Sequence, residues 1–236
     1  MTAVLTARDR ARAELTREIK EEARRQLAAE GAQRLSLRAV ARELGMASSA
    51  LYRYFPSRDD LLTALIIDAY DSIGDSAERA VATLPSGGAR GRWRACCHAV
   101  RGWALAHQHE YALIYGSPVP GYQAPQETVV SATRVAAILG GLLADAWSAR
   151  APGLADDARA QEPLRQPLAA QAAAAAAAVA PGVPGSMMTR GLIAWTQLFG
   201  MVSFELFGQF VGVAEPADAL FGYAVDQMAD FVGLPP

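Results

Sequence analysis

Ser48, Ser49, Tyr52 and Arg53 place two hydroxyls, a phenol and a guanidinium at spacings of one, three and four residues, so that on a helix they share one face. Such a set has no nucleophile paired with a base; what it offers is hydrogen bonding. Hydroxyls meet phosphate oxygens or base edges, serines are small enough to let a helix sink into a major groove, and an arginine can grip guanine with two hydrogen bonds that discriminate by ~1–3 kcal/mol. Tyr54 stands at the end of the same segment, and Arg58, at the start of the next, can reach a phosphate. Chemistry of other kinds finds no support. The chain has no phosphate-binding G-x-x-x-x-G-K-[ST] loop, no nucleophile elbow and no H-E-x-x-H, and Gly87, Gly88 and Gly91 lack the strand that a dinucleotide loop requires. His98, His107 and His109 do not make a helix-spaced metal pair. No enzymatic activity, cofactor or metal is therefore expected.

The elements that must position this face are legible on either side of it. Leu37, Val40, Ala41 and Leu44 recur at three- and four-residue steps, the buried stripe of a short helix that Ser36 caps and Gly45 stops. In the helix that follows, Ala47, Leu51 and Phe55 are four apart and are expected to face the first, turning Ser48, Ser49, Tyr52 and Arg53 outward. Pro56 ends that helix, Ser57 caps the next, and Asp59 and Asp60 lie in its first turn, where the helix dipole favours negative charge. Upstream, about Arg8 to Glu30, Leu15, Ile19, Ala23 and Leu27 line one side of a helix that Gly31 terminates. Three helices of this kind predict a helix-turn-helix unit that reads duplex DNA.

The spacing Leu37-Arg38-x-Val40-Ala41-x-x-Leu44-Gly45, then Ala50-Leu51-Tyr52-x-Tyr54-Phe55-x-x-Arg58-x-x-Leu61-Leu62, resembles the N-terminal domain of the tetracycline-repressor (TetR) family of transcriptional regulators. That family usually has a β-branched residue where Met46 stands, His where Tyr54 stands and Lys where Arg58 stands. Carried over position by position, the resemblance implies DNA contacts at Arg38, Ser48, Ser49, Tyr52, Arg53, Tyr54 and Arg58. A second stretch, Trp103-Ala104-Leu105-x-His107 with Tyr111-Ala112-Leu113-Ile114-Tyr115-Gly116-Ser117-Pro118-Val119-Pro120-Gly121-Tyr122, resembles the C-terminal domain of one subset of such regulators.

Charge distribution agrees. The formal net charge is only −2, yet residues 1–58 hold twelve Lys plus Arg against seven Asp plus Glu (+5), leaving ten against seventeen (−7) for the remainder. A basic head on an acidic body confines phosphate binding to one end. The opening MTAVLTARDR meets charge before any apolar run long enough for a signal peptide, so a cytoplasmic protein is expected. Adjacent Cys96 and Cys97 suit neither a disulfide nor a C-x-x-C pair and read as helix-packing residues.

The predicted fold is all-α, with a three-helix DNA-binding domain over 1–56 and a larger helical ligand-binding and dimerisation domain over 57–236. A long helix from Ser57 toward Leu84 joins the two and is the natural lever between them. Residues 151–186, rich in Ala, Pro, Gly and Gln, are expected to be a flexible surface excursion with at most a frayed helix and no function. Trp103, His107, Tyr111, Tyr115, Trp147, Trp195 and Phe199 are candidates to wall a cavity for a small, largely apolar effector. The apolar run Met187 to Val213 carries Gln197, Glu205 and Gln209, which argues against a membrane span and for a helix buried on two fronts. With the last helix, about Pro216 to Val232, it is expected to build a homodimer interface through Phe204, Phe207, Phe210, Leu220, Val225 and Met228, the four-helix arrangement that the resemblance also implies. The expected partners are thus a duplex DNA operator, a second copy of the chain and a small-molecule effector. An enzyme or carrier whose N-terminal helices merely pack is the competing reading, and it has no need of the charge split.

Overall fold

The computed structural model describes residues 6–84, 88–149 and 163–235, and its regular elements are all helical among them. In order they are α1 (Ala7–Glu30), a 3-10 turn (Ala32–Arg34), α2 (Leu37–Glu43), α3 (Ser48–Leu51), α4 (Arg58–Ala82), α5 (Ala89–Ala106), α6 (Gln108–Tyr115), α7 (Thr128–Ala132), α8 (Arg134–Ser148), α9 (Leu168–Val179), α10 (Gly185–Leu206) and α11 (Asp218–Phe231). Residues 85–87 and 150–162, the latter taking in the first part of the expected excursion, lie outside the described residues. Two units result, Met1–Ala69 with Gln108–Val129 and Tyr70–His107 with Val130–Pro236, and α4 contributes residues to both.

In the first unit α1 begins with a reciprocal cap. Thr6 Oγ1 accepts from Asp9 N–H while the Asp9 carboxylate accepts from Thr6 N–H. Ile19, Ala23 and Leu27 of α1, Leu37, Val40 and Ala41 of α2, Leu51, Phe55, and Leu61, Leu62 and Leu65 of α4 make up the buried core. Ser36 caps α2 by accepting from Ala39 N–H, and α2 stops as expected at Gly45, whose φ of 65° lets Gly45 N–H reach Arg42 O and Met46 N–H reach Ala41 O. Ala47, expected to be buried, is instead exposed, because it is the N-cap of α3 and precedes its first turn. Residues 108–129 also pack here: Tyr111 is fully buried, Arg24 pairs with both Asp68 (2.5 Å) and Glu110 (3.4 Å), and the Thr63 and Tyr122 hydroxyls lie 2.9 Å apart.

The second unit is organised on α5, which buries Trp93, Cys96, Cys97, Val100, Trp103 and Ala104. Trp93 Nε1 donates to Val225 O of α11 at 3.1 Å. The alanine-rich stretch is a twelve-residue helix, α9, with Ala172 and Ala176 buried, rather than a frayed excursion. Its small side chains allow backbones to approach: a Cβ on Gly140 of α8 would lie 2.5 Å from Val179 O. α10 stops at Leu206 rather than running on to Val213, because Gly208 takes φ 81° and Gln209 N–H turns back to Phe204 O. Among the described residues no helix is long and apolar enough to cross a membrane.

Candidate nucleic-acid interface and ligand cavity

α3 is a single α-turn, prolonged by Tyr54 N–H and Phe55 N–H bonding to Leu51 O. With Leu51 and Phe55 anchoring it in the core, Ser49, Tyr52 and Arg53 face solvent and Ser48 is half-buried. Arg38 is exposed on α2. Arg38, Tyr52 and Arg58 come together around one surface hollow of about 450 Å³, with Ser36 and Ser57, the residues that cap α2 and α4, on its rim. Two guanidiniums, a phenol and the start of a 25-residue helix make an electropositive, donor-rich hollow suited to an anion.

Arg58 is not a free cation in that hollow. Its Nη2 donates to Ala32 O at 2.8 Å and Gln33 O at 3.4 Å, and its Nε to Leu35 O at 3.2 Å. The side chain thus fastens α4 to the segment that leads into α2. Tyr54 is half-buried, and the guanidinium of Arg12 lies over its ring, 5.3 Å from the centroid. No sequence signal singled out Arg12; a contact between residues 42 positions apart is invisible to helical spacing.

The seven expected ligand residues are divided between the two units. Trp103 is buried, donates from Nε1 to Ser72 Oγ at 2.8 Å and stacks on His107 with centroids 4.9 Å apart, while Tyr111 and Tyr115 belong to the first unit, 5.1 Å from each other. Trp147 is half-buried, and Phe199 is buried 5.3 Å from Trp195. Of the seven, Trp195 alone lines the apolar cavity of the second unit. That cavity, about 200 Å³, is walled by Trp93, Leu139, Leu143, Met188 and Trp195 together with Ala175, Ala178 and Val179 of α9. The signal for the α9 wall was the alanine run itself, whose small residues at helical spacing leave room beside a close helix contact. One wall, α8, begins with Arg134, which lies over Gly74 of α4 and pairs with Asp71 (3.2 Å), Asp75 (2.5 Å) and Glu78 (2.7 Å).

Cys96 and Cys97 are buried and free; burial pushes the Cys96 thiol up to about 12 and holds Cys97 well above the ordinary thiol range, so neither is a nucleophile at neutral pH. Among the described residues no cluster of His, Cys, Asp and Glu could hold a metal ion.

At the expected dimer face Phe204 is 53% and Phe207 48% exposed, Leu220 lies partly open on α11, and Phe210 is half-buried against Phe204. Val225 and Met228 are different: both are buried in the chain's own core, since the turn of α11 that carries them faces α5. They are core residues, not surface offered to a partner. Phe231, which the spacing also offers for this contact, and Tyr223, which it does not, are exposed in their stead.

Residues 19–65 match the N-terminal domain of bacterial regulatory proteins of the tetR family, and residues 93–228 match the tetracyclin-repressor-like C-terminal domain. The chain is 39% identical over 209 residues to an HTH-type transcriptional regulator of Mycobacterium tuberculosis, spanning 85% of this chain and 84% of that one. It is also similar to the solved structure of the protein SCO4313, with a TM-score of 0.73 and 36% identity over 95% of this chain and 100% of that one. The TetR family regulator PfmR of Thermus thermophilus shares the fold at a TM-score of 0.56 and 16% identity, over 92% and 99% of the two chains. An exposed helix-turn-helix on an all-helical frame, matched by both halves of one family, makes this chain a DNA-binding transcriptional regulator of the TetR family.

Proposed function

We propose that the protein is a cytoplasmic, homodimeric, ligand-responsive repressor. Two copies, joined through the exposed aromatic face of α10 and α11, present two recognition segments to successive major grooves, with half-sites about one turn or ~34 Å apart on a near-palindromic operator. Ser48, Ser49, Tyr52 and Arg53 read bases or phosphates, and Arg38 and Tyr54 take the backbone beside them. Arg58 serves chiefly to fix the frame and adds its charge to the hollow. The observation that carries this reading is the convergence of Arg38, Tyr52 and Arg58 on one hollow beside the outward face of α3.

A small, largely apolar effector occupies the cavity between α5, α8, α9 and α10. Support for a regulatory role comes from α8, which both walls the cavity and holds α4 through Arg134 and the acidic row Asp71, Asp75 and Glu78. A ligand acts only through its differential affinity for two states, so a hundredfold loss of operator affinity needs roughly 2.7 kcal/mol of it.

Selection of duplexes from a random pool with the purified protein tests the reading. The expected product is a pseudo-palindrome, and Arg53→Ala should weaken binding to it at least tenfold with dimer and melting temperature intact. Recovery of no sequence preference, or unchanged binding by both Tyr52→Phe and Arg53→Ala, would refute it.

A further inference from the structure

Four cations of α1, Arg12, Arg17, Lys20 and Arg24, line one hollow, and three of them have a carboxylate partner. Arg17 pairs with Glu14 and Glu21, Lys20 with Asp68 at 2.8 Å, and Arg24 with Asp68 and Glu110. Arg17, Lys20, Arg24 and Asp68 line this second open hollow of about 440 Å³ together with Asp9, Ala13, Thr16 and Arg12. Arg12 is the exception. Among the described residues no carboxylate lies in ion-pair range of it; Asp9, the nearest acid along its face, is spent on the Thr6 cap. Its guanidinium rests on the face of Tyr54, whose ring is half-buried and itself fixed by the turn that follows α3.

That arrangement is odd as a stabilising device. Arg12 stands in the second turn of α1, close to the positive end of the helix dipole, with Arg8 one turn before it and Arg10 nearby, so a cation here is disfavoured by its own helix. An aromatic face orients a guanidinium through its π electrons, yet leaves the charge and all the edge N–H donors for another acceptor. The ring that does this belongs to the residue ending the recognition segment. We propose that Arg12 is a further DNA-contacting residue, held by Tyr54 as a shelf so that its donors meet a backbone phosphate beside the groove that α3 enters. The inference rests on the reading above, in which residues 48–54 face the duplex. A phosphate contact fixes position rather than sequence, so Arg12 should add affinity without preference.

Each lost phosphate contact lowers the slope of log K against log salt by about 0.9 and the affinity at 0.1 M salt by about 5- to 10-fold. The test titrates the duplex selected by the wild-type protein, and a random-sequence duplex of equal length, between 0.05 and 0.3 M KCl on the order of the usual working range. Arg12→Ala should lose close to one unit of slope per bound protomer on both duplexes, with the selected sequence and the melting temperature unchanged. Arg12→Lys should recover the slope, and Tyr54→Leu should lose affinity that the Arg12→Ala/Tyr54→Leu double variant does not lose again. Arg12→Ala with wild-type slope overturns the inference, and so does a variant that melts earlier but binds with wild-type salt dependence, since that is a contact serving stability alone. If Arg53→Ala abolishes selection while Arg12→Ala changes nothing, only this inference fails; a wild-type protein that selects no duplex takes the parent reading down with it.

Discussion

Arg101 on α5 donates from Nε and Nη2 to the two carboxylate oxygens of Glu205 on α10, at 2.7 and 2.6 Å, in a side-on pair that little solvent reaches. A third bond runs from Arg101 Nη1 to Asp218 on α11 at 2.9 Å, and the guanidinium lies over the Phe221 ring, 5.0 Å from its centroid. One charged residue thus joins three helices of the second unit.

The two carboxylates differ in burial, and that decides their worth. Glu205 is 17% exposed and Asp218 73%. Removing one partner of a buried pair costs ~3–5 kcal/mol because the other is left unpaired; with some solvent access the expected loss for Glu205→Ala is about 2–3 kcal/mol. Asp218→Asn should leave the melting temperature almost unmoved at neutral pH. The Arg101 hydrogen bond and charge hold Asp218 below the ordinary carboxylate range. A depressed carboxylate contributes stability above that range and loses it as pH falls through the folded value, so any effect of Asp218→Asn should vanish on acidification. Thermal melts of both variants at neutral and acid pH check the order.

Arg58 was expected to reach a phosphate and is found bonded to three backbone carbonyls of the segment before α2. Hydrogen bonds from charged donors contribute ~1.5–3 kcal/mol where water is excluded, and about 1–2 kcal/mol is expected at this half-exposed site. Arg58→Ala should therefore lower the urea midpoint of the first unit, and Arg58→Lys should recover only part, since a point charge cannot span carbonyls that a planar fork reaches together. A variant of full stability whose salt slope alone drops would return Arg58 to the role of phosphate ligand.

Two glycines test how the cavity is built. A Cβ on Gly140 would lie 2.5 Å from Val179 O, a backbone atom that cannot yield without moving α9; on Gly191 it would lie 2.7 Å from Leu143 Cδ1, the tip of a side chain that also lines the cavity. Overpacking costs ~1–3 kcal/mol, offset in a helix by up to ~1 kcal/mol of gained propensity for alanine over glycine. Gly140→Ala should be clearly destabilising and Gly191→Ala near neutral, with Leu143 turning into the empty space. Equal losses in chemical denaturation would mean that the cavity gives no room.

The local grammar of the first unit was readable because each signal acts within one turn: Ser36 and Ser57 cap, Gly45 stops, and Leu51 and Phe55 anchor. What could not be read depends on contacts across the fold. Ala47 looked buried by spacing and is exposed, since periodicity does not say where the first turn begins. Residues 172–178 looked like an excursion because alanine carries no apolar pattern of its own; it is the nearness of Gly140 and Gly185 that turns small side chains into a packing surface. Val225 and Met228 share a helix with Leu220 and Tyr223, and only the position of Trp93 beneath them separates core from face. Arg12 and Tyr54 are the extreme case, a pairing between α1 and the turn after α3, two segments whose sequences give no hint of each other.

Phe204, Phe207, Tyr223 and Phe231 leave four aromatic residues 42–65% exposed on α11 and at the end of α10, a density that a lone chain has no reason to keep. Placing a charge there should separate protomers without unfolding either. Phe207→Arg is expected to sediment as a monomer with wild-type helicity and to lose affinity for a palindromic duplex, because one protomer reaches only one half-site. Val225→Ala, by contrast, cuts into the core beside Trp93 and should cost ~1–3 kcal/mol of stability while the protein remains dimeric at concentrations where it is folded. If Phe207→Arg stays dimeric and Val225→Ala dissociates, partners meet through another surface and the apolar face of α10 needs a different occupant.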